Sequence, residues 1–205
     1  MKQPILVLGA NGFIGREVVQ ALAATDWARP VRGVRTAPIA ANDSFEHRIV
    51  DATQVDSLRP ALEGVAGVVN CVAGDASNIV LNATALFDSA RGLAPAPRII
   101  HLSTMSVYGS AIGLMDESAP LRGDLGPYSE AKVAAERIAA SYPRCVIFRP
   151  GCVFGPGSEQ SRYHCSIQVK GANRETSESS FPAALPAHVP RPPATWRRST
   201  AASVP

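Results

Sequence analysis

The stretch ILVLGANGFIG, Ile5 to Gly15, runs four apolar residues directly into three glycines spaced by three, Gly9, Gly12 and Gly15. A short continuous apolar run ending on a glycine turn predicts a strand covered on both faces. After Gly15 the period changes. Arg16, Glu17 and Gln20 are polar while Val18, Val19 and Leu22 recur at helical spacing, which predicts a helix beginning where the glycines end. In such a unit Gly9 takes the tight turn, Gly12 lets the backbone approach a bulky anion, and Gly15 lets the helix lie close to the strand. The unsatisfied N–H groups of that helix start would face a phosphate. A glycine triplet alone also describes an ordinary strand-to-helix loop, so its weight comes from its place directly after an apolar strand.

The 205 residues suffice for one domain with a core and an appendage. An apolar content of 46% with 18% charged residues is that of a globular protein. Met1 to Gly9 is too short for a signal peptide and no run reaches membrane-span length, so no membrane association and a cytoplasmic location are expected. Cys71, Cys145, Cys152 and Cys165 make no CxxC pair, and the four histidines are scattered. Neither a metal site nor a disulfide framework is expected. Residues 1–157 hold 14 Lys+Arg and 14 Asp+Glu, so the net charge of +3 resides in residues 158–205, which hold 6 and 3. A neutral body without a basic stripe argues against nucleic acid as its ligand.

Further along, Val31 to Val34 reads as a second strand ending at Arg35, and His47 to Val50 as a third, followed by a loop at Asp51 and Ala52 where an adenine could rest. The end of the second strand is where an acidic side chain selects a free ribose 2′-hydroxyl and an arginine accommodates a 2′-phosphate. Arg32 and Arg35 are present and no Asp or Glu follows until Asp43, which favours NADP over NAD. Asp56 to Glu63 predicts a short helix, and Val65 to Cys71 a fourth strand that runs into the small residues Val72, Ala73 and Gly74. Asn78 to Arg91 predicts a helix with Ile79, Leu81, Ala85 and Leu86 as its apolar positions, closed by Gly92. Arg98 to Ser103 is a fifth strand. This alternation predicts a parallel sheet wound on both faces, with ligands bound beyond the carboxyl ends of its strands.

Ser103, Thr104 and Ser106 follow the fifth strand, and YSEAKVAAER, Tyr128 to Arg137, has the composition of a strong helix. Tyr128 and Lys132, four apart, share one helix face, and an ammonium near a phenol is expected to lower the phenol's pKa toward the range of a usable acid or base. Tyr and Lys at this spacing are also common on surface helices.

Together GANGFIG at Gly9 to Gly15, Asp51-Ala52, HLSTMSVYG at His101 to Gly109, YSEAK at Tyr128 to Lys132 and FRPGCVFGPG at Phe148 to Gly157 resemble, in order and separation, the extended short-chain dehydrogenase/reductases of the NAD(P)-dependent epimerase/dehydratase kind. The resemblance implies a Rossmann-type doubly wound α/β fold. It implies that Thr104 orients the substrate oxygen, that Tyr128 is the proton-transferring acid/base, and that Lys132 holds the nicotinamide ribose and tunes Tyr128. It further implies that the amides of Phe13 and Ile14 cover the pyrophosphate, that Val72 to Gly74 line the cofactor cleft, and that Pro150 lies by the nicotinamide. Ser103 ranks behind Thr104, because alternation along the strand turns it to the other side. A homodimer paired through the Tyr-bearing helix would turn Val133, Ala134, Ile138 and Ala139 to a partner. Packing on the sheet accounts for the same residues, and the sequence leaves both open.

Two departures from the family pattern stand out. The fourth strand runs into its helix almost at once, and the asparagine usual in that helix has only imperfect matches in Asn78 and Asn82, which weighs against a sugar-nucleotide substrate. After Gly157 the pattern stops. Residues 158–205 have no sustained helical or strand period and include six prolines, so a Pro-rich tail without packed structure is expected, with the substrate domain largely missing through a shifted frame or a broken gene. A naturally short member with a flexible tail is the other reading. The functional expectation is an oxidoreductase, epimerase or dehydratase acting on a carbonyl or sugar-like substrate. The alternative is an NADP(H)-binding module, or a remnant, without turnover.

Overall fold

Leu6 and Leu8 point to one face of the first strand and Ile5 and Val7 to the other, and all four are buried. A strand apolar on both sides needs helices above and below it, and this requirement organises the chain. The structure, a computed structural model, describes residues 1–36 and 45–155. The expected tail, residues 158–205, lies outside the described residues.

Six strands make one parallel sheet in the order β3-β2-β1-β4-β5-β6: β1 (Gln3–Leu8), β2 (Ala28–Val34), β3 (Glu46–Ile49), β4 (Gly67–Asn70), β5 (Arg98–Leu102) and β6 (Cys145–Phe148). The helices are α1 (Phe13–Ala23), α2 (Val55–Leu62), α3 (Ala76–Arg91) and α4 (Pro127–Ala140), and one 3-10 turn spans Met105–Tyr108. The strand order reverses at β1, so the carboxyl ends of β1 and β4 open a crevice. On one face Leu6, Leu8, Val31, Val68 and Ile99 pack against Leu58 and Leu62 of α2, Leu86 and Phe87 of α3, and Ala131, Ala135 and Ala139 of α4. On the other, Val7 and Val34 meet Val19 of α1. On β5 and β6 Ile100, Val146 and Phe148 are exposed.

Several boundaries differ from the sequence reading. The first helix begins at Phe13, two residues before Gly15, so Gly15 lies in its first turn. β2 begins at Ala28 although Pro30 interrupts the pattern; β3 pairs with it only from Val31 onward, so Pro30 lies where one side of the strand is unpaired. In α3, Leu81 is exposed, and Asn82 and Ala83 are buried instead. Gly92 follows that helix with φ −83°, so it ends α3 without using a left-handed conformation. Asp75 caps its start by accepting from the Asn78 amide at 2.8 Å.

Of the four α4 residues weighed for a partner contact, Val133 is buried against Val107 and Tyr108, and Ala139 is buried in the core beneath the sheet. Both are used within their own chain. Among the described residues no helix is long and apolar enough to cross a membrane, and no group of three or more His, Cys, Asp or Glu could hold a metal ion.

A buried polar chain crosses the core. Asn70 Nδ2 donates to Asn82 Oδ1 at 2.8 Å and lies 3.1 Å from His101 Nδ1, while Asn82 Nδ2 donates to the Ala52 carbonyl at 2.9 Å. His101 Nδ1 therefore accepts, and the proton sits on Nε2, which has no partner among the described residues. Burial, reinforced by the Lys132 charge, pushes the imidazole down to about 4.

Two outcomes follow. A Cβ on Gly15 would stand 2.1 Å from the Gly9 carbonyl oxygen, whereas Gly64, at φ +68°, has nothing within 4 Å. Gly15→Ala is expected to destabilise by about 2 kcal/mol or more through overpacking, and Gly64→Ala by about 1 through backbone strain alone. Equal midpoint shifts in urea would contradict the close approach. For His101, the unfolded chain binds a proton below about 6.5 and the folded one only below about 4, so stability falls as pH drops through this window. Urea unfolding at pH 7 and pH 5 should differ by about 2 kcal/mol on this account, and His101→Gln should remove that part of the slope. A slope unchanged in the variant would show that His101 titrates normally.

Candidate active site

Parallel strands deliver their carboxyl ends to one edge of the sheet, and the expected site residues lie along it. At the β1 end Gly9 has φ +74° and accepts from the Gly12 amide at 2.9 Å, and a Cβ on Gly9 would meet the Cys71 carbonyl at 2.9 Å. Gly12 is the N-cap of α1 without any side-chain hydrogen bond, and no acidic residue follows in the first turn. The first-turn amides, those of Phe13, Ile14 and Gly15, thus keep the positive end of the helix for an anion. This turn fits a pyrophosphate. Its backbone is close-packed, and among the described residues no side chain caps the helix start.

At the β2 end, Arg32 Nη2 donates to Asn11 Oδ1 at 2.5 Å, drawing a cation to the glycine turn. Arg35 follows the strand, exposed. At the β3 end, the Asp51 carboxylate accepts from the Thr53 amide and hydroxyl at 2.9 and 2.7 Å, and these bonds hold it below the usual carboxylate range, helped by Arg35. Ala52 is tied by its carbonyl to Asn82. Val72, Ala73 and Gly74 follow β4 directly, with the Val72 amide 3.4 Å from Asn70 Oδ1.

The remaining groups stand past β5 and β6. Thr104 is the N-cap of the 3-10 turn, and its hydroxyl accepts from the Ser106 amide at 3.2 Å. Tyr128, in the first turn of α4, is 46% exposed, while Lys132 one turn later is 4% exposed. Lys132 Nζ donates to the Leu102 carbonyl at 3.0 Å and lies 5.9 Å from the centre of the Tyr128 ring. The structure therefore brings Thr104, Tyr128 and Lys132 together. It does not support the expected direction of tuning. Burial raises the Tyr128 phenol, and a hydrogen bond with Thr104 pulls it only partly back. Lys132 is itself pushed down by burial, with Glu136 and Cys71 opposing. Ser103 is buried, and its hydroxyl has no partner among the described residues. The Pro150 carbonyl accepts from the Met105 amide at 3.0 Å, which places Pro150 beside the Thr104 turn.

The sequence reading gave no role to Glu136, Arg149 or Tyr108, although the last two lie in the quoted motifs. Glu136 is 2% exposed and pairs with Arg149 at 2.7 Å. Its place four residues after Lys132, on the same helix face, was the available signal. Of the two candidate asparagines, Asn82 is the buried one, facing Ala52, whereas the Asn78 side chain bonds to Asp75 at the helix start.

The family model for the NAD dependent epimerase/dehydratase family matches residues 5–174, a span that continues past Gly157. No curated protein matches the chain. Among solved structures, it is similar to a provisionally assigned epimerase from Burkholderia cenocepacia J2315, at 22% identity and a TM-score of 0.70 over 78% of this chain and 58% of that one. It is similar to the dTDP-glucose 4,6-dehydratase of Bacillus anthracis str. Ames in complex with NAD, at 22% identity and TM-score 0.68 over 78% and 58%. It is also similar to the UDP-glucuronic acid 4-epimerase of Bacillus cereus in complex with NAD, at 25% identity and TM-score 0.65 over 78% and 60%. The chain thus spans less than two thirds of the length of each of these. A family match over most of its residues, carried on a six-stranded parallel sheet of this order, makes the chain a member of the NAD dependent epimerase/dehydratase family.

Proposed function

We propose that residues 1–157 form a nicotinamide-dinucleotide-binding unit and that the chain is an oxidoreductase of the epimerase/dehydratase kind, acting on a carbonyl or sugar-like substrate. The observation that carries this reading is the grouping of Thr104, Tyr128 and Lys132 on the same sheet edge as the glycine turn. Gly9, Gly12, Phe13, Ile14 and Gly15 would hold the pyrophosphate, Val72 to Gly74 and Pro150 the nicotinamide side, and Lys132 the ribose. The dinucleotide supplies hydride transfer when bound. Thr104 fixes the substrate oxygen, and Tyr128, a phenol whose ionisation partial burial makes harder, is the group that gives or takes the proton there. NADP is the favoured form. Arg32 is drawn to the turn by Asn11, Arg35 follows β2, and Asp51 is engaged with Thr53.

A second reading is a dinucleotide-binding module without turnover, which would use the same uncapped glycine turn at the start of α1. Both readings share the cofactor site and differ in turnover.

Titrating the protein's quenching of NADPH and NADH fluorescence should show NADPH binding about tenfold more tightly, with Arg35→Asp removing that preference. Absence of binding to either would sink both readings. Tyr128→Phe should leave NADPH affinity within about twofold while abolishing interconversion of carbonyl or sugar substrates, by about a hundredfold or more. A wild type that binds NADPH but turns over none of a broad sugar and carbonyl panel supports the module reading, and a fully active Tyr128→Phe removes Tyr128 from the proton-transfer role.

A further inference from the structure

Thr104 is flanked by two amides that both donate to the end of β6. The Ser103 amide donates to the Phe148 carbonyl at 2.8 Å and the Met105 amide to the Pro150 carbonyl at 3.0 Å. Those two carbonyls lie on either side of Arg149. The Arg149 guanidinium is held from three directions. Nε donates to both Glu136 carboxylate oxygens at 3.0 and 3.1 Å, and Nη2 donates to Oε2 at 2.7 Å. Nη1 donates to the Tyr108 hydroxyl at 2.8 Å and to the Glu117 carbonyl at 3.2 Å. The guanidinium also lies over the Tyr108 ring, 5.1 Å from its centre. Glu136 belongs to the helix that carries Tyr128 and Lys132, and Tyr108 ends the 3-10 turn that Thr104 begins.

We propose that Arg149, locked to Glu136, is a positioning residue that fixes Thr104 against Tyr128, so that the two hydroxyl-bearing groups of the site share one rigid reference. The proposal rests on the proton-transfer reading above and deepens it. A single planar guanidinium ties α4, the 3-10 turn and the end of β6 together, and a bidentate fork sets orientation as well as distance. Ser129 adds a second tie, donating to the Ser106 carbonyl at 2.6 Å, but it reaches only the middle of the turn. The register of Thr104 itself is set by the residues on either side of Arg149. A buried ion pair of this kind is weak evidence for stability in itself, and a role in geometry separates the two possibilities by experiment.

The readout is the ionisation of Tyr128, which the Thr104 hydrogen bond lowers. It is followed by tyrosinate absorbance, with the Tyr128→Phe curve subtracted, and it needs no substrate. Thr104→Val should raise the Tyr128 pKa by about one unit, the worth of one hydrogen bond. Arg149→Met should raise it by a similar amount, Glu136→Gln/Arg149→Met, which removes the pair together, should do the same, and Thr104→Val/Arg149→Met should add little further. Arg149→Lys, which keeps the charge and loses the fork, should recover only part of the shift. NADPH affinity should stay within about twofold throughout, so that loss of cofactor binding would count against the underlying reading rather than against the positioning role. An unchanged Tyr128 pKa in Glu136→Gln/Arg149→Met, or full additivity with Thr104→Val, would overturn the proposal. Should a variant unfold before Tyr128 titrates, the crystal structure of Glu136→Gln decides: separation of the Thr104 and Tyr128 hydroxyls supports the positioning role, and an intact contact overturns it.

Discussion

The Gly9 carbonyl oxygen occupies the space that a side chain on Gly15 would need, and this backbone-to-backbone contact fixes how α1 leaves the end of β1. A second contact binds the same turn sideways, because Gly9 also packs against the Cys71 carbonyl at the end of β4. β1 is paired on both sides, so its end is the reference for the whole carboxyl edge. With the turn held against β4 and the helix held against the turn, the first-turn amides look into the crevice where the strand order reverses. Arg35, Asp51, Val72 and Thr104 then reach one edge because their strands are parallel and in register with this one.

Much of this was legible because the spacing of residues is itself geometry. Glycines at intervals of three, strands alternating with helices, and Tyr and Lys one turn apart all specify local shape, and the sheet, the turn and the Tyr128–Lys132 proximity appear where those patterns put them, whereas Thr104 is reached only through the family resemblance. What the patterns could not carry was competition between neighbours in space. Asn82 reads only as an imperfect match to the family's asparagine, level with Asn78, yet it is the buried one because Asn70 and Ala52, distant in sequence, satisfy its amide. Leu81 reads as core and is exposed for the same reason: the helix turns toward the buried amide, and its neighbour is carried outward. The second strand is expected only from Val31, and it starts at Ala28 because Pro30 precedes the first pair that β2 makes with β3.

The site shows the same division in its electrostatics. A spacing of four says that the Lys132 ammonium is near the Tyr128 ring, and it is, but it says nothing about solvent. Once α4 packs on β5, Lys132 is almost wholly buried and Tyr128 partly so, and desolvation favours the uncharged form of each. The proximity was readable and the sign of the Tyr128 shift was not, because burial is a property of the assembled layers.

Lys132 keeps its cationic tendency through two groups that no local motif announces, the Leu102 carbonyl it donates to and the Glu136 carboxylate one turn along. Glu136 is itself bonded through both oxygens to Arg149. The carboxylate that supports Lys132 is therefore shared with a stronger, bidentate partner, and its position is set by β6 rather than by α4 alone. This couples two properties that would otherwise be independent. The ion pair that joins the end of β6 to α4 and, through Tyr108, to the 3-10 turn also places the negative charge felt by Lys132, so a shift of Arg149 would disturb the turn and change the field at a buried ammonium together. The field at Lys132 is thus set partly from one turn along α4, by a carboxylate whose own partner lies beyond β6.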